Sequence, residues 1–345
     1  MATATTSPAL TRSPARPASG RLLAAAAPLG RLVLTTGVVL FLASVITFGL
    51  GALSKSNPAA AVLGETATAK DIATLNHQFG LDRPLVPRYL AWLGDALHGD
   101  LGRSWFTTVP VSSSVRQALP VDLSIAALAL VLAVGIGTAA GIGAAVRAGG
   151  LFDRAVTVVC SVLATLPPFV IGIGLIVLLS VKARLLPAGG YVSFGSDPVQ
   201  WLRFSILPAL ALSLEVAANI ARQLRTTLVA ALEENYAVGA QMRGYSRRRV
   251  LFGHVLRNAV APTLAVIGMA LPLIVGGAVM TEKLFNLPGI AQLALQSAQR
   301  GDVPVVLGTL LITAVLVLAG SLVINAAQVL LDPAARRGAA SGSRA

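Results

Sequence analysis

Eight residues suited to docking lie in one polar interruption of an otherwise apolar chain: Glu233, Glu234, Tyr236, Ala240, Arg243, Gly244, Tyr245 and Ser246. The interruption spans residues 222–258 and carries seven arginines and two glutamates between two apolar stretches. A loop that only joins two membrane crossings needs few residues. A basic, helix-patterned segment of this length therefore suggests a docking surface for a cytoplasmic partner. Its chemistry is recognition, not bond making. Leu224, Leu228, Leu232, Tyr236 and Ala240 recur every fourth residue and mark one slowly rotating helical face. Gly244 is placed to close that helix, because glycine enters the left-handed region without a Cβ penalty. Ser246 is placed to cap a second helix that starts at Arg247-Arg248-Arg249. This second helix runs through Val250, Leu251, His254 and Val255 into the next apolar stretch. Three arginines in a first helical turn oppose the helix dipole; topology, lipid headgroups or an acidic partner explain them better. Physics alone leaves the hairpin open to three roles: partner docking, a scaffold site or an amphipathic surface hairpin.

The sequence holds no bond-making constellation. There is no GxxxxGK[ST] phosphate cradle, so this chain is not expected to hydrolyse ATP itself. The three histidines show no HExxH or other paired spacing. The single cysteine, Cys160, rules out an intrachain disulfide and a thiolate-rich metal site. The expectation is a chain with no catalytic residue, no metal and no cofactor of its own. Glu215 is the one ionisable residue deep in an apolar stretch, where a carboxylate faces protein or water rather than lipid. It either contacts a pathway or pairs with Arg222, about two turns on, near the cytoplasmic interface. Glu215, Asn219 and Glu282 form the candidate pathway set.

Membrane-spanning helices must position these residues. The chain has 345 residues, 55% hydrophobic and 12% charged, with a mean hydropathy of +0.77. That composition belongs to polytopic membrane proteins rather than soluble domains. Leu32–Leu53, Leu123–Val146, Ala155–Val181, Ala259–Thr281 and Val303–Leu331 carry no charge and are long enough to cross a bilayer. Phe204–Ala221 is a weaker stretch, interrupted by Glu215. Backbone in a bilayer must satisfy its own hydrogen bonds. The expected fold class is an all-α polytopic membrane protein with six transmembrane helices. Of the 27 Lys and Arg, 16 fall in segments 1–31, 147–154, 222–258 and 332–345, and 11 fall in 54–122, 182–203 and 282–302. Nine of the 14 acidic residues lie in the second group. The positive-inside rule then makes both termini cytoplasmic, although Lys182 and Arg184 sit against it on the outer side. The net charge of +13 is thus topological, and no nucleic-acid partner is expected.

Residues 1–31 are rich in Ala, Pro, Ser, Thr and Arg and are expected as a disordered cytoplasmic tail. Residues 32–53 exceed a signal-peptide core and are expected to remain as an uncleaved first span. Residues 54–122 form an outer segment. In it, Pro84 and Pro87 open an amphipathic stretch with Tyr89, Leu90, Leu93 and Leu97 on one side, and Gly99, Asp100 and Gly102 make a turn. Residues 123–331 form the transmembrane core around the loop 222–258, and residues 332–345 a cytoplasmic C-terminal tail. In the second span Gly135, Ala139 and Gly143, and likewise Gly137 and Gly141, allow close helix approach, within the chain or with a second subunit. Pro167, Pro168 and Pro272 each remove a backbone donor, giving either a bent structural helix or a broken helix that lines a pathway.

Ala240-Gln241-Met242-Arg243-Gly244-Tyr245-Ser246, followed by Val250-Leu251, His254-Val255-Leu256-Arg257-Asn258-Ala259 and Pro262, resembles the cytoplasmic coupling loop of ABC-importer permeases. The resemblance is to the dipeptide/oligopeptide/nickel family, whose members have a large first outer loop. Leu81-Asp82-Arg83-Pro84-Leu85, Tyr89, Trp92-Leu93 and Gly99-Asp100-Leu101-Gly102-Arg103-Ser104 resemble that loop. Leu186-Pro187-Ala188-Gly189-Gly190-Tyr191 resembles the segment after the family's third span. Glu282, Phe285, Pro288-Gly289, Asp302, Pro304 and Asp332-Pro333 resemble its C-terminal third. Val238-Gly239-Ala240 stands where the general permease motif opens Glu-Ala-Ala, and Gln328 stands where the family has an acidic residue.

The resemblance implies a type I ABC-importer permease fold and a permease subunit that forms half of a translocation pathway for di- or oligopeptides or related small solutes. Nickel or another small solute is the alternative within the family. An ion-gradient-driven secondary transporter is the reading from a different class and would need paired intramembrane acids. The implied partners are a second homologous permease, two ABC ATPase subunits carrying ATP and Mg, an external solute-binding protein and the lipid bilayer. The implied location is a prokaryotic cell (inner) membrane, crossed several times. ATPase closure would push on the helix around Glu233–Gly244, with Ala240 and Gly244 small so that this helix seats closely in the partner's cleft.

Overall fold

Fourteen helices account for most of the chain that the computed structural model describes, which is residues 18–53, 57–276 and 278–331. In order they are α1 (Ala18–Leu53), α2 (Pro58–Leu63), α3 (Ala69–Gln78), α4 (Leu85–Leu97), α5 (Val111–Val146), α6 (Leu151–Leu163) and α7 (Pro168–Leu175). There follow α8 (Pro198–Glu233), α9 (Asn235–Met242), α10 (Arg247–Val250), α11 (Leu256–Gly276), α12 (Ala278–Phe285), α13 (Ile290–Arg300) and α14 (Val303–Leu331). Wider π-helical turns extend α7 over Ile176–Lys182 and join α10 to α11 over Leu251–Val255. The fold is all-α, with no β-strand among the described residues. Four described helices are long and apolar enough to cross a membrane, α1, α5, α8 and α14, and a fifth crossing is added if α6 and α7 count as one. The 21-residue α11 occupies the place of the remaining expected span.

The centre of the bundle is the pair α5 and α8, each 36 residues long. A Cβ on Gly137 would sit 2.7 Å from the Ala217 carbonyl oxygen, and one on Gly141 would sit 2.8 Å from that of Ala221. These two glycines therefore bring α5 onto α8 within the chain. Gly135 and Ala139 are exposed instead. Around the seam, Val121, Ile125, Ala129 and Ala133 of α5 repeat every fourth residue against Leu207, Leu212, Val216 and Ile220 of α8. Ile267 and Ile274 of α11 and Phe285 at the end of α12 close the same core.

The stretch expected as one span over Ala155–Val181 is broken. α6 and the helix from Pro168 meet at 109°. Pro167 caps α7 and Pro168 is its first residue. Two consecutive prolines lack two backbone donors and their rings exclude the preceding turn, so the helix stops and restarts. Pro272, with no proline beside it, leaves α11 continuous to Gly276.

α1 begins at Ala18, earlier than the expected boundary at residue 32, because the alanine- and leucine-rich run before it favours helix. The rest of the expected tails, residues 1–17 and 332–345, lies outside the described residues. α4 is the amphipathic helix expected after Pro84, with a shifted face. Tyr89 is buried and Trp92 and Leu93 are half-buried, whereas Leu90 and Leu97 are exposed. The Tyr89 hydroxyl meets Ser44 Oγ at 2.8 Å, and its ring stacks edge-on against Phe41 and Phe48 of α1. A hydroxyl that finds a partner in α1 fixes the rotation of α4, which apolar spacing alone leaves open. The glycine-rich turn after α4 is anchored to α14. Asp302 accepts the Ser104 hydroxyl at 2.5 Å and the Trp105 amide at 3.1 Å. Burial pushes the Asp302 carboxyl above its usual range, while those two hydrogen bonds pull it back.

Candidate functional site

α8 ends at Glu233, and Glu234 takes extended backbone, φ −68° and ψ 147°, before α9 starts. The Glu234 carbonyl accepts the amides of Ala237 and Val238 at 2.9 and 3.1 Å. This break corrects the continuous helix expected from Leu224 to Gly244. The restart rotates the register. Leu224 and Leu228 are buried on α8, but Tyr236 turns outward at 39% exposure while Ala237 and Ala240 turn inward. Glu233 and Glu234 at the junction both remain exposed.

α9 closes as the sequence suggests. The Tyr245 amide donates to the Ala240 carbonyl at 3.3 Å and the Gly244 amide to the Gln241 carbonyl at 2.9 Å. Gly244 has φ +85°, so this is a Schellman-type stop that needs glycine for its backbone. Ser246 Oγ accepts the Arg249 amide at 3.4 Å and caps α10. The hairpin made by α9 and α10 has its own core: Ala237 and Ala240 pack with Leu224 and Leu228 of α8, with Val250, Leu251 and Val255 of the second arm, and with Ala145 of α5.

Ala240 is 1% exposed in that core. Its small size lets the hairpin fold back on α8, which corrects the expectation that it is small for a partner's cleft. Gly244 has open space around it, and its backbone angle is the reason for its identity. The outward face consists of Glu233, Glu234, Tyr236, Val238, Met242, Arg243 and Tyr245. Met242 is 84% exposed. The Arg249 guanidinium lies 4.9 Å over the Tyr245 ring and stiffens the turn.

One contact that sequence reasoning missed fastens this end of the bundle. Arg225 of α8 donates from Nε to Asp153 Oδ1 at 2.9 Å and from Nη2 to Oδ2 at 2.7 Å. The Gly149 amide adds a third bond to the same carboxylate at 2.9 Å. Nothing in residue spacing links positions 72 apart; the available signal was an aspartate in the first turn of α6 that had no local partner.

The pathway set divides. Asn219, Arg222, Gln223 and Thr226 of α8 line a groove of about 580 Å³ with Val216 of α8 and Val266 and Met269 of α11. Glu215 is half-buried one turn beyond Asn219. Of its two expected roles, pairing with Arg222 is not found: Arg222 Nη2 donates to Asn219 Oδ1 at 2.7 Å, because Asn219 stands one turn closer. Glu282 is elsewhere. It is 3% exposed on α12 and its Oε2 accepts the Gln292 amide at 2.7 Å. Asp122 Oδ2 accepts the Ile290 amide at 2.9 Å. The two carboxyls together hold the N-terminus of α13, where exposed amides favour negative charge. A Cβ on Gly289 would collide with both. Burial, and then the Asp122 carboxylate, push the Glu282 carboxyl up. Glu282 therefore anchors α13, and with Asp122 it also lines a separate cavity of about 290 Å³. Its distance in sequence from α13 is short, but only the fold turns it toward that helix. Among the described residues no three His, Cys, Asp or Glu side chains gather as a metal site.

Comparison with known proteins bears on this geometry. The family described as binding-protein-dependent transport system inner membrane component matches residues 137–337. Its N-terminal companion, the binding-protein-dependent transport system membrane component N-terminal region, matches residues 28–126. The chain is 35% identical over 306 residues to the probable peptide ABC transporter permease protein y4tP of Sinorhizobium fredii, covering 89% of this chain and 98% of that one. It is 33% identical over 298 residues to a putative peptide transport system permease protein of Brucella abortus, covering 86% and 95%. It is 29% identical over 293 residues to the oligopeptide transport system permease protein AppB of Bacillus subtilis, covering 84% and 93%.

Proposed function

Because the chain belongs to the family of binding-protein-dependent transport system inner membrane components, we propose that it is the membrane-spanning subunit of an ATP-driven importer of di- or oligopeptides. It is not itself an enzyme. Its partners are a second permease of the same kind, two ATPase subunits that carry ATP and Mg, and an external solute-binding protein. The termini and the α9–α10 hairpin face the cytoplasm, in line with the basic excess of those segments.

The observation that carries this reading is the hairpin. Its apolar residues are already buried in its own core, yet Tyr236, Val238 and Met242 still face outward beside Glu233, Glu234 and Arg243. An exposed aromatic and aliphatic rim with mixed charge suits a rigid protein partner. The hairpin follows α8 directly, and α8 carries the groove residues 219–226. Asn219 lies 14 residues before Glu233, about 21 Å along one helix. Movement of the hairpin by the ATPase subunits is thereby delivered to the groove across the single extended residue Glu234. The Arg225–Asp153 pair makes α6 follow α8.

The test is transport of a labelled tripeptide into proteoliposomes containing the full complex and its solute-binding protein. Uptake is expected to require Mg-ATP and to stop when the ATPase subunits are removed. Uptake driven by a proton or sodium gradient without ATP would establish a secondary transporter instead.

A further inference from the structure

We infer that α4 is an interfacial helix, bedded in the outer leaflet of the bilayer with Val86, Leu90 and Leu97 among the lipid chains. The inference concerns how the outer segment is held and does not depend on the transported solute. Around its axis α4 has three distinct sides. Val86, Leu90 and Leu97 are 65%, 57% and 79% exposed. At 3.6 residues per turn they fall within about 40° of one another. Arg88 is two residues from both Val86 and Leu90, so it stands about 160° from each around the helix. Asp95, seven residues on and exposed, shares the flank of Arg88. Tyr89 falls between the flanks and is buried. The helix thus carries a packed side, a charged flank and a bare aliphatic flank. Water accounts for the charged flank only. Large aliphatic side chains gathered bare on one side mark an interaction surface.

The contacts of the packed side set the depth of α4. The Tyr89 hydroxyl meets Ser44 Oγ at 2.8 Å. Ser44 lies seven residues inside the apolar window Leu34–Gly51 of α1, about 10.5 Å from its outer end. Trp92 and Leu93 join Val303 and Leu307 of α14 in the same apolar cluster as Phe48 and Tyr89. The helix therefore crosses the outer ends of two spans instead of standing clear of them. The flanks are oriented as well. Arg88 Cζ lies 4.9 Å over the Phe48 ring. Phe48 is seven residues nearer the outer end of α1 than Phe41, and both rings meet Tyr89. The charged flank consequently points out toward water and the aliphatic flank in toward the bilayer core. Phe41 is itself exposed, and the α1 window is only 11% buried, so bare apolar surface passes from α1 onto α4. Arg88 has no acidic partner among the described residues. Its stem lies along apolar surface while its head stays at the polar edge, as arginines do at a membrane interface. Tyr89 and Trp92 are the ring types that settle at headgroup level. One apolar flank, one charged flank and this depth together describe a helix lying in an interface.

The experiment places single nitroxide labels at Leu90→Cys, Leu97→Cys and Asp95→Cys, each in a Cys160→Ser background, in the full complex reconstituted in phospholipid nanodiscs. Collisions of each label are measured with oxygen, which concentrates in hydrocarbon, and with an anionic, water-soluble chromium chelate. The ratio of oxygen to chelate collisions at Leu90→Cys and Leu97→Cys is expected to exceed that at Asp95→Cys by about tenfold or more, because a charged probe is excluded from apolar surroundings. All three positions are exposed, and co-purification of the ATPase subunits checks assembly. Val86→Cys, on the same flank, stands in for a leucine variant that does not assemble. Equal ratios at all positions would put the aliphatic flank in water and overturn the inference. Exclusion of both probes at the leucine positions would show that protein, such as the second permease, covers the flank, and would overturn it as well. The measurement is repeated with the solute-binding protein added. Unchanged oxygen collisions support the lipid contact; a fall at Leu90→Cys and Leu97→Cys would assign the flank to that protein.

Discussion

Arg225 and Asp153 form a two-pronged ion pair, with N–O distances of 2.9 and 2.7 Å, between the C-terminal third of α8 and the first turn of α6. The Asp153 side chain is 4% exposed and the Arg225 side chain 34%. The carboxylate has therefore lost its water and depends on the guanidinium and the Gly149 amide. The pair joins the helix that carries the groove to the broken helix beside it. Any movement of one must carry the other.

Removing the arginine is expected to leave a buried carboxylate uncompensated. Arg225→Ala should lower the stability of the detergent-solubilised complex, toward the lower end of the ~3–5 kcal/mol typical of a broken buried pair, since the arginine keeps some water. Arg225→Lys should recover only part, because an ammonium group does not reproduce the fork. Thermal unfolding of single and double variants measures the coupling. Additive effects in the double variant Asp153→Ala/Arg225→Ala would show that the pair contributes nothing beyond its members.

The glycines of α5 make a second prediction. Gly137→Val places carbon against the Ala217 carbonyl and Ile220, where no flexible side chain can move aside. Overpacking of this kind costs about 1–3 kcal/mol or more. Gly135→Val, on the exposed side with nothing within 4 Å of its Cβ, should be tolerated by the isolated chain. Expression level and melting temperature of the two variants compare the sides directly; equal loss from both would remove the case for an α5–α8 seam.

The hairpin separates folding from docking. Ala240→Trp should disrupt the hairpin itself, since the site is closed by Leu228, Val250 and Val255. Tyr236→Ala and Met242→Ser should leave the hairpin folded and weaken attachment of the ATPase subunits, because both side chains are exposed. Hot-spot aromatic residues cost about 2 kcal/mol or more when truncated at an interface. Limited proteolysis reports the first effect and co-purification of ATPase subunits the second. Normal attachment with Tyr236→Ala and Met242→Ser combined would place the motor elsewhere.

Orientation has its own test. Cysteines introduced singly as Glu65→Cys, between α2 and α3, and Ser246→Cys, in the hairpin turn, are exposed positions in the structure. In a Cys160→Ser background they should react with a membrane-impermeant thiol reagent from opposite sides of the membrane, Glu65→Cys from outside. Labelling of both from one side contradicts the topology drawn from the positive-inside rule.

Much of this protein is legible in its sequence because the bilayer simplifies the problem. Charge-free stretches such as Leu123–Val146 and Val303–Leu331 must be helices, since an embedded backbone has no water to bond. Gly244 and Ser246 mark the hairpin turn for equally local reasons, a left-handed backbone and an N-cap. What the sequence left open depends on rotation and on distant partners. Periodicity ran Leu228, Leu232, Tyr236 and Ala240 along one face, but extended backbone at Glu234 rotated Ala240 inward and Tyr236 outward. The paired prolines 167 and 168 allowed a bend or a break, and packing chose 109°. Gly137 and Gly141 were equally suited to a subunit interface until α8 was found against them. Glu215, Glu282 and Asp153 are the same chemistry in one dimension. Tertiary structure alone left the first half-buried on α8 one turn from Asn219, made the second an anchor of α13 and the third the partner of Arg225, because a carboxylate's role is set by what surrounds it within a few ångströms, and those neighbours come from remote parts of the chain.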